Sequence, residues 1–241
     1  LGETLFISDL HLSPDRPEIV DLFLRFLSGR ARGAERIYIL GDLFDAWIGD
    51  DDDTPPYPAV IAALRAAHDG GVQLYFQHGN RDFLIGRRFA RAAGCRLLKD
   101  PVRIDLYGVP TLLMHGDLLC TADRAYQRFR RYTHNPLLTR LFLLRRLATR
   151  RAIAADYRRR SGAATAAKPT AIMDVSQDAV ETYMGRFGVR QLIHGHTHRP
   201  GRHDFTLDGA AAIRWVLAEW RPERASALWV DPQGSREQVI T

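Results

Sequence analysis

The sequence predicts an α/β fold carrying a basic helical accessory element, on three observations. Short apolar runs alternate with amphipathic stretches of helical period. Five of those runs end in loops of Asp, Asn and His. The positive charge is confined to one stretch: residues 124–168 hold thirteen basic residues and one acid, Asp156, so this segment carries +12 and the rest of the +6 chain carries −6. With 241 residues, 46% of them hydrophobic, the chain can fill one large α/β core, with or without an insertion. A basic element on an acidic body implies an anionic surface to meet, either nucleic acid or a phospholipid headgroup layer. The longest aliphatic or aromatic run in the middle of the chain, at residues 141–144, is far short of the ~20 residues a spanning helix needs. The opening LGETLFISDLHLS enters a strand without a basic n-region or cleavage site, which predicts a cytoplasmic protein. Cys95 and Cys120 are unpatterned and are expected to be buried free thiols.

The organising stretch is residues 36–45, RIYILGDLFD. Ile37, Tyr38, Ile39 and Leu40 read as a buried strand that stops at Gly41 and delivers Asp42 at its tip. Asp after Gly is common turn chemistry, so the weight comes from four more tips of the same kind: Ser8-Asp9-Leu10-His11, Gly79-Asn80-Arg81-Asp82, His115-Gly116-Asp117 and His194-Gly195-His196-Thr197-His198.

In chain order, residues 4–8 form a strand, and an extended Asp9-Leu10-His11 step turns carboxylate and imidazole to one side. Pro17 opens a helix with the stripe Ile19, Val20, Phe23, Leu24, Phe26 and Leu27, closed by Gly29. Four acids, Asp50 to Asp53, read as a solvated loop or as scaffolding behind the site. A helix over 58–67 leads to a strand over 72–77, whose tip offers Asn80 as the one neutral oxygen ligand. Residues 83–93 are expected to be helical, and 102–106 with 109–114 form a hairpin about Tyr107-Gly108 that delivers His115. From 121 to about 160, apolar clusters alternate with arginine. That pattern fits either an amphipathic helical pair capping the core or an element lying against a membrane or an acyl chain. Residues 161–168 read as a small-residue loop, Asp174 as the N-cap of a helix reaching Phe187, and 190–193, 213–218 and 225–230 as strands.

Asp9, His11, Asp42, Asn80, His115, His196 and His198 offer oxygen and imidazole donors without a thiolate. Such a set suits a pair of Mn2+, Fe2+ or Zn2+ ions, whereas calcium would want more oxygen. A carboxylate bridges ions about 3.5–4 Å apart in sites that displace at phosphorus, and Asp42 is the expected bridge. His68, His134 and His203 are expected to be core or surface residues. His78 and His194, each just ahead of a motif, stand undecided between supporting ligands and packing.

Taken in order, DxH, GDxxD, GNxD, HGD and GHTH resemble the binuclear metallophosphoesterase superfamily over nearly the whole chain. The longer strings GDLFDAWIGDDD, HGNRDFLIGRRFA, LMHGD, AIMDV and LIHGHTHRP resemble one branch of it, the UDP-2,3-diacylglucosamine diphosphatases of lipid A biosynthesis. The resemblance implies a four-layer αββα sandwich, one domain over residues 1–241 with a helical cap insertion at about 122–168. It implies two Mn2+ ions, one held by Asp9, His11, Asp42 and His198, the other by Asp42, Asn80, His115 and His196. Asp42, Asn80, Arg81 and His115 would form the catalytic centre, and substrate contacts would fall on Asn80, Arg81, Asp123, Ser161, Thr165, Lys168 and His196. The implied reaction is attack of metal-activated water on the α-phosphorus of UDP-2,3-diacylglucosamine, releasing UMP and 2,3-diacylglucosamine 1-phosphate. The implied partners are the acylated UDP-sugar and the anionic inner membrane, at its cytoplasmic face and peripherally, without nucleic acid. A monomer is the default expectation.

Arg81 supports that branch independently. Many superfamily members place histidine there, able to protonate an alkoxide leaving group, and arginine cannot do so. A phosphoanhydride expels a phosphate monoester with second pKa near ~6, which needs no proton. The alternative is a soluble metallophosphoesterase acting on nucleotides or nucleic-acid phosphodiesters. A non-catalytic nucleic-acid-binding module would rest on the arginines alone and leave seven ligand-type residues idle.

Overall fold

In a computed structural model, which describes residues 2–166 and 174–240 with the side chains of 160–166 left out, the chain opens with β1 (Thr4–Ile7), α1 (Pro17–Ser28), β2 (Arg36–Leu40), α2 (Tyr57–Asp69), β3 (Gln73–Gln77), α3 (Arg87–Ala93) and β4 (Cys95–Leu98). The hairpin β5 (Val102–Leu106) and β6 (Val109–Met114) follows, then α4 (Arg124–Thr133), α5 (Pro136–Leu143), α6 (Leu147–Ala166) and α7 (Gln177–Phe187). The described chain closes with β7 (Gln191–His194), β8 (Gly201–Leu207), β9 (Ala210–Val216), β10 (Ala225–Asp231) and β11 (Gly234–Ile240). Six strands form one sheet in the order β11-β10-β1-β2-β3-β4, and five form a second in the order β5-β6-β7-β9-β8.

Strand periodicity explains the layering. Leu5, Ile7, Ile37 and Ile39 face one side of the first sheet and join Ile19, Phe23 and Phe26 of α1 and Val60 and Leu64 of α2 in one core. Phe6, Tyr38 and Leu40 face the other side, where they meet Leu113 and Ile193 of the second sheet. Leu112, Met114 and Leu192 point away from that interface and pack on Val180 and Met184 of α7. The three cores are the three interfaces of the αββα sandwich that the family resemblance implied. Sheets covered on both faces need near-continuous apolar strands, as β1, β2 and the inner half of β6 are. Phe6, Tyr38 and Tyr75 stand in register across β1, β2 and β3 and stack at 5.0 and 4.6 Å.

The elements depart from the sequence reading where a side chain intervenes. The helix expected over 83–93 starts at Arg87, because the Asp50 carboxylate takes the amides of Gly86, Arg88 and Phe89 at 2.9–3.0 Å and sets the first turn there. The helical pair is three helices: Asn135 caps α5 through the amides of Leu137 and Leu138, with Pro136 behind it. The small-residue loop is helix as far as Ala166, in keeping with the alanines at 163, 164 and 166; Lys168 lies outside the described residues. Asp174 does not cap α7, whose N-cap is Ser176; it accepts from the Val175 amide and pairs with Arg199. Polar alternation hid β8 and β11, and the four-residue β4 was passed over.

Two arginines of α6 grip the acidic run, and a third holds Asp45 ahead of it. Arg150, 3% exposed, donates to Ile48 O at 2.6 Å and to Asp51. Arg151 pairs with Asp52 at 2.7 Å, and Arg158 pairs with Asp45. Asp50 to Asp53 is therefore in large part scaffolding, although Asp53 is exposed. No helix among the described residues is long and apolar enough to cross a membrane.

Candidate metal centre and its cavity

Five strand-to-loop tips meet at one edge of the two sheets, held by main-chain bonds. The Asp9 amide donates to Gly41 O at 3.2 Å, that of His11 to Asp42 O at 2.9 Å, and that of Gly195 to His115 O at 2.8 Å. Two carboxylates clamp neighbouring loops: Asp42 Oδ1 accepts the Arg81 amide and Asp9 Oδ2 the His196 amide, each at 2.8 Å. Buried Asp82 takes the amides of Leu43 and Gly79, both at 2.8 Å, and so locks the GD and GN loops together. It is scaffolding rather than a ligand. Asp9, His11, Asp42, His196 and His198 all sit in the left-handed region, with φ of 57, 50, 53, 72 and 55°. Non-glycine residues reach that region at a cost of about 1–3 kcal/mol each, and such strain gathers where geometry is functional.

The packing leaves no space for a side chain at Gly79, where a Cβ would lie 2.2 Å from Asp42 Oδ1. Gly79→Ala is expected to push Asp42 aside and to lower activity far more than it lowers the melting temperature. Rate and melting curve measured on one preparation check this; an unchanged rate would mean that the loop yields freely.

Two donor clusters result. In one, atoms of Asp9, His11 and His198 lie within 4.8 Å of one another; in the other, atoms of Asp42, His115 and His196 do. His11 Nε2 and His198 Nε2 are 3.4 Å apart, and His198 Nε2 is 3.4 Å from Asp9 Oδ1. His115 donates Nδ1–H to Leu40 O at 2.8 Å, which turns Nε2 toward Asn80 Oδ1 at 3.0 Å and Asp42 Oδ2 at 3.8 Å. Asn80 thus joins the second cluster. His11 Nδ1 lies 4.0 Å from Asp42 Oδ2, so Asp42 stands between the clusters as a bridge must.

Burial pushes the Asp42 carboxyl up to about 7, against the pull of His115 and helped by Asp82 and Asp9. At His115 burial opposes charge, yet Asp42, Asp9 and Asp117 hold the imidazole at about 9. Burial also opposes charge on His198, which the adjacent Asp9 and Glu219 carboxylates hold at about 10. Burial lowers His11 to about 3, and burial with neighbouring His115 lowers His196 to about 4. Such crowding of lone pairs and carboxylates is what a cation relieves. Asp9 Oδ1 and His11 Nδ1 are buried without a hydrogen-bond partner, and the donors are oxygen and imidazole nitrogen. The residues fit divalent ions of the Mn2+, Fe2+ or Zn2+ kind.

The remaining histidines separate. His78 donates to Ile85 O at 2.7 Å and serves packing. His194 sits behind the loop, bonded to Gly195 O at 2.8 Å and facing Arg214 at 3.2 Å. His134 stacks on Phe83. Cys120 is buried and Cys95 half-buried.

A cavity of about 840 Å3 opens over the clusters, lined by His11, Asp42, Asn80, Arg81, Asp123 and His196 among others. Asp123 also caps α4 through the Tyr126 amide at 3.0 Å. The Arg81 main chain is locked on Asp42 and on the Trp47 amide, and its side chain lines the cavity. An apolar groove of about 330 Å3, walled by Trp47, Ile48, Phe83, Leu138, Phe142 and Ile153, shares Asp45, Asn80, Arg81, Phe129, Tyr157 and Arg158 with that cavity. The side chains of Ser161 and Thr165 and all of Lys168 lie outside the description.

Sequence reasoning missed two supports. Asp117 accepts from Tyr126 and Arg130 of α4, both at 2.6 Å, and Arg130 also reaches Asp100 at 3.3 Å; the HGD motif already pointed to Asp117. Glu219, between β9 and β10, lies 3.3 Å from His198 Nδ1, and no local motif marks it.

A four-layer sandwich that gathers two carboxylate–imidazole clusters at its strand tips, under an open cavity, has the architecture of a metallophosphoesterase. The model for calcineurin-like phosphoesterases matches residues 3–200, and the chain belongs to that family. Among curated proteins it is similar to the UDP-2,3-diacylglucosamine hydrolase of Pseudomonas paraeruginosa, 54% identical over 97% of each chain. The proteins of that name from Nitrosococcus oceani, 53% identical over 96% of this chain and 92% of that one, and from Stenotrophomonas maltophilia, 51% identical over 96% of each, are similar to the same degree.

Proposed function

We propose that this chain hydrolyses the pyrophosphate of UDP-2,3-diacylglucosamine, giving UMP and 2,3-diacylglucosamine 1-phosphate in lipid A biosynthesis. The observation that carries the reading is the junction of the polar cavity over the donor clusters with an apolar groove that shares six of its residues. A substrate with a pyrophosphate beside an acylated sugar fills both spaces. The hydrocarbon chains take the groove and the pyrophosphate takes the cluster end; the similar proteins are named as hydrolases of such a diacylated UDP-sugar.

Divalent ions, Mn2+ in our proposal, would be held by Asp9, His11, Asp42 and His198 and by Asp42, Asn80, His115 and His196, and when bound they supply activation of water and neutralisation of charge at phosphorus. Arg81 lines both spaces, so its fork can follow charge onto the phosphoryl oxygens. No general acid is needed at this position, because a phosphate monoester leaves without taking up a proton. Asn80, Asp123 and His196 face the same cavity and are proposed substrate contacts, as are Ser161, Thr165 and Lys168 toward the end of α6 and just beyond it.

We read the whole chain as one domain with α4–α6 as its cap, acting as a monomer. On that cap Leu137, Leu138, Leu141 and Leu144 are 65, 44, 52 and 76% exposed among arginines. Such a face suits peripheral binding to the anionic headgroups of the inner membrane's cytoplasmic side.

The test is turnover of UDP-2,3-diacylglucosamine in mixed micelles with Mn2+ or EDTA, identifying the uridine product. Metal-dependent release of UMP is expected, faster when the micelles contain anionic phospholipid. No turnover beside clear hydrolysis of bis(p-nitrophenyl) phosphate would move the activity to soluble phosphodiesters.

A further inference from the structure

His198 is the outlier among the clustered histidines. Its side chain is 33% exposed, on a loop with φ of 55°, whereas that of His115 is fully buried. A half-exposed imidazole on a strained loop needs something to fix its ring. His115 has Leu40 O for this purpose, at 2.8 Å from Nδ1. For His198 the group in the corresponding place is a carboxylate, Glu219, with Oε2 at 3.3 Å from Nδ1.

Glu219 is itself held on the frame of the donor cluster. The next residue, Trp220, is fully buried against Phe23 and Phe26, with centroids at 6.0 and 5.4 Å, and its amide donates to Asp9 O at 3.1 Å. Arg16 donates to Trp220 O at 2.7 Å. The backbone that carries Glu219 is thus bonded to the residue that supplies the cluster's own carboxylate. The Glu219 side chain is only 17% exposed and lines the cavity. Arg221, 63% exposed, holds its Oε2 at 2.8–2.9 Å from the solvent side. An ordinary surface pair would leave both partners in water.

We propose that Glu219 is the positioning residue of His198, accepting its Nδ1–H so that Nε2 is turned toward Asp9 and His11 to take a divalent cation. A carboxylate behind a ligating imidazole fixes its tautomer and orientation and raises its basicity, effects worth about 10–100-fold in metal affinity. Because His115 has only a neutral carbonyl behind it, the benefit falls on the cluster of Asp9, His11 and His198. Glu219 lies beyond residue 200, where the match to the family model ends.

The inference rests on the metal-hydrolase reading above, and one experiment separates the two. Mn2+ is titrated into the metal-free full chain and into Glu219→Gln and Glu219→Ala, with free Mn2+ followed by electron paramagnetic resonance. Melting of each metal-free protein is recorded alongside. Wild type should bind two ions; a wild type that binds none would overturn the reading itself. In Glu219→Ala one of the two sites should weaken about 10–100-fold and the other keep its affinity, with melting of the metal-free protein lowered by no more than the loss of partly exposed ion pairs allows. Glu219→Gln, which keeps an acceptor but loses the charge, should fall between. The Mn2+ concentration for half-maximal activity should rise with the weakened site while kcat at saturating Mn2+ recovers. Two wild-type affinities in Glu219→Ala, or equal weakening of both sites with a lower melting temperature, would overturn the inference while leaving the metal-hydrolase reading intact.

Discussion

Asp42→Ala is expected to lower turnover by about 10^3-fold or more in a protein that still folds. The carboxylate stands between the two clusters, 4.0 Å from His11 Nδ1 and 3.8 Å from His115 Nε2, within reach of both. Charge stabilisation by bound ions contributes several kcal/mol to displacement at phosphorus, and each ~1.4 kcal/mol is tenfold in rate. Folding should suffer less. The variant leaves the Arg81 amide without its acceptor, at a cost of about 1–3 kcal/mol. It also removes a carboxyl that burial disfavours as the anion, so the two effects oppose each other. Rate and circular dichroism on one preparation decide the matter, and a folded variant with the wild-type rate would end the two-cluster account.

The second large effect is on stability. Metal-free protein should melt well below protein supplied with Mn2+, because the apo site keeps two buried polar atoms without a hydrogen bond, Asp9 Oδ1 and His11 Nδ1, and five donors in the left-handed region. Binding to the native state alone stabilises by about 2.7 kcal/mol for one site at a hundred times Kd. In a chain of this size each kcal/mol moves the melting temperature about 2–4 °C, so a rise of about 5–11 °C is expected, reversed by EDTA. Calorimetric scans with and without Mn2+ read this directly. Coincident scans would mean that the clusters do not bind the ion in the folded state.

The ligand loops were the most legible part of the molecule. Asp9, Asp42, Asn80, His115, His196 and His198 each stand one to four residues beyond a strand end, so a short apolar run followed by a donor is enough to place them. Partners brought in from a distance were not legible. Asp50 caps α3 from 36 to 39 residues away, which is why the expected helix over 83–93 began too early. Glu219 reaches His198 from a connection that carries no motif of its own. The strands β8 and β11 escaped because each is largely exposed and alternates weakly.

The sequence by itself determined which atoms are available for the chemistry and that each is presented on a strand tip, because strand period, glycine breaks and donor type are local properties. It also determined that the positive charge lies in one helical stretch. Only the tertiary structure brought these donors together in two clusters. His11 and His198 meet across 187 residues, and Asp42 comes to stand between the two clusters only when β1, β2, β6 and β7 align their tips. The tertiary structure likewise decided that the helices α4–α6 open an apolar groove onto that site, since a groove is the space between side chains that packing alone brings together.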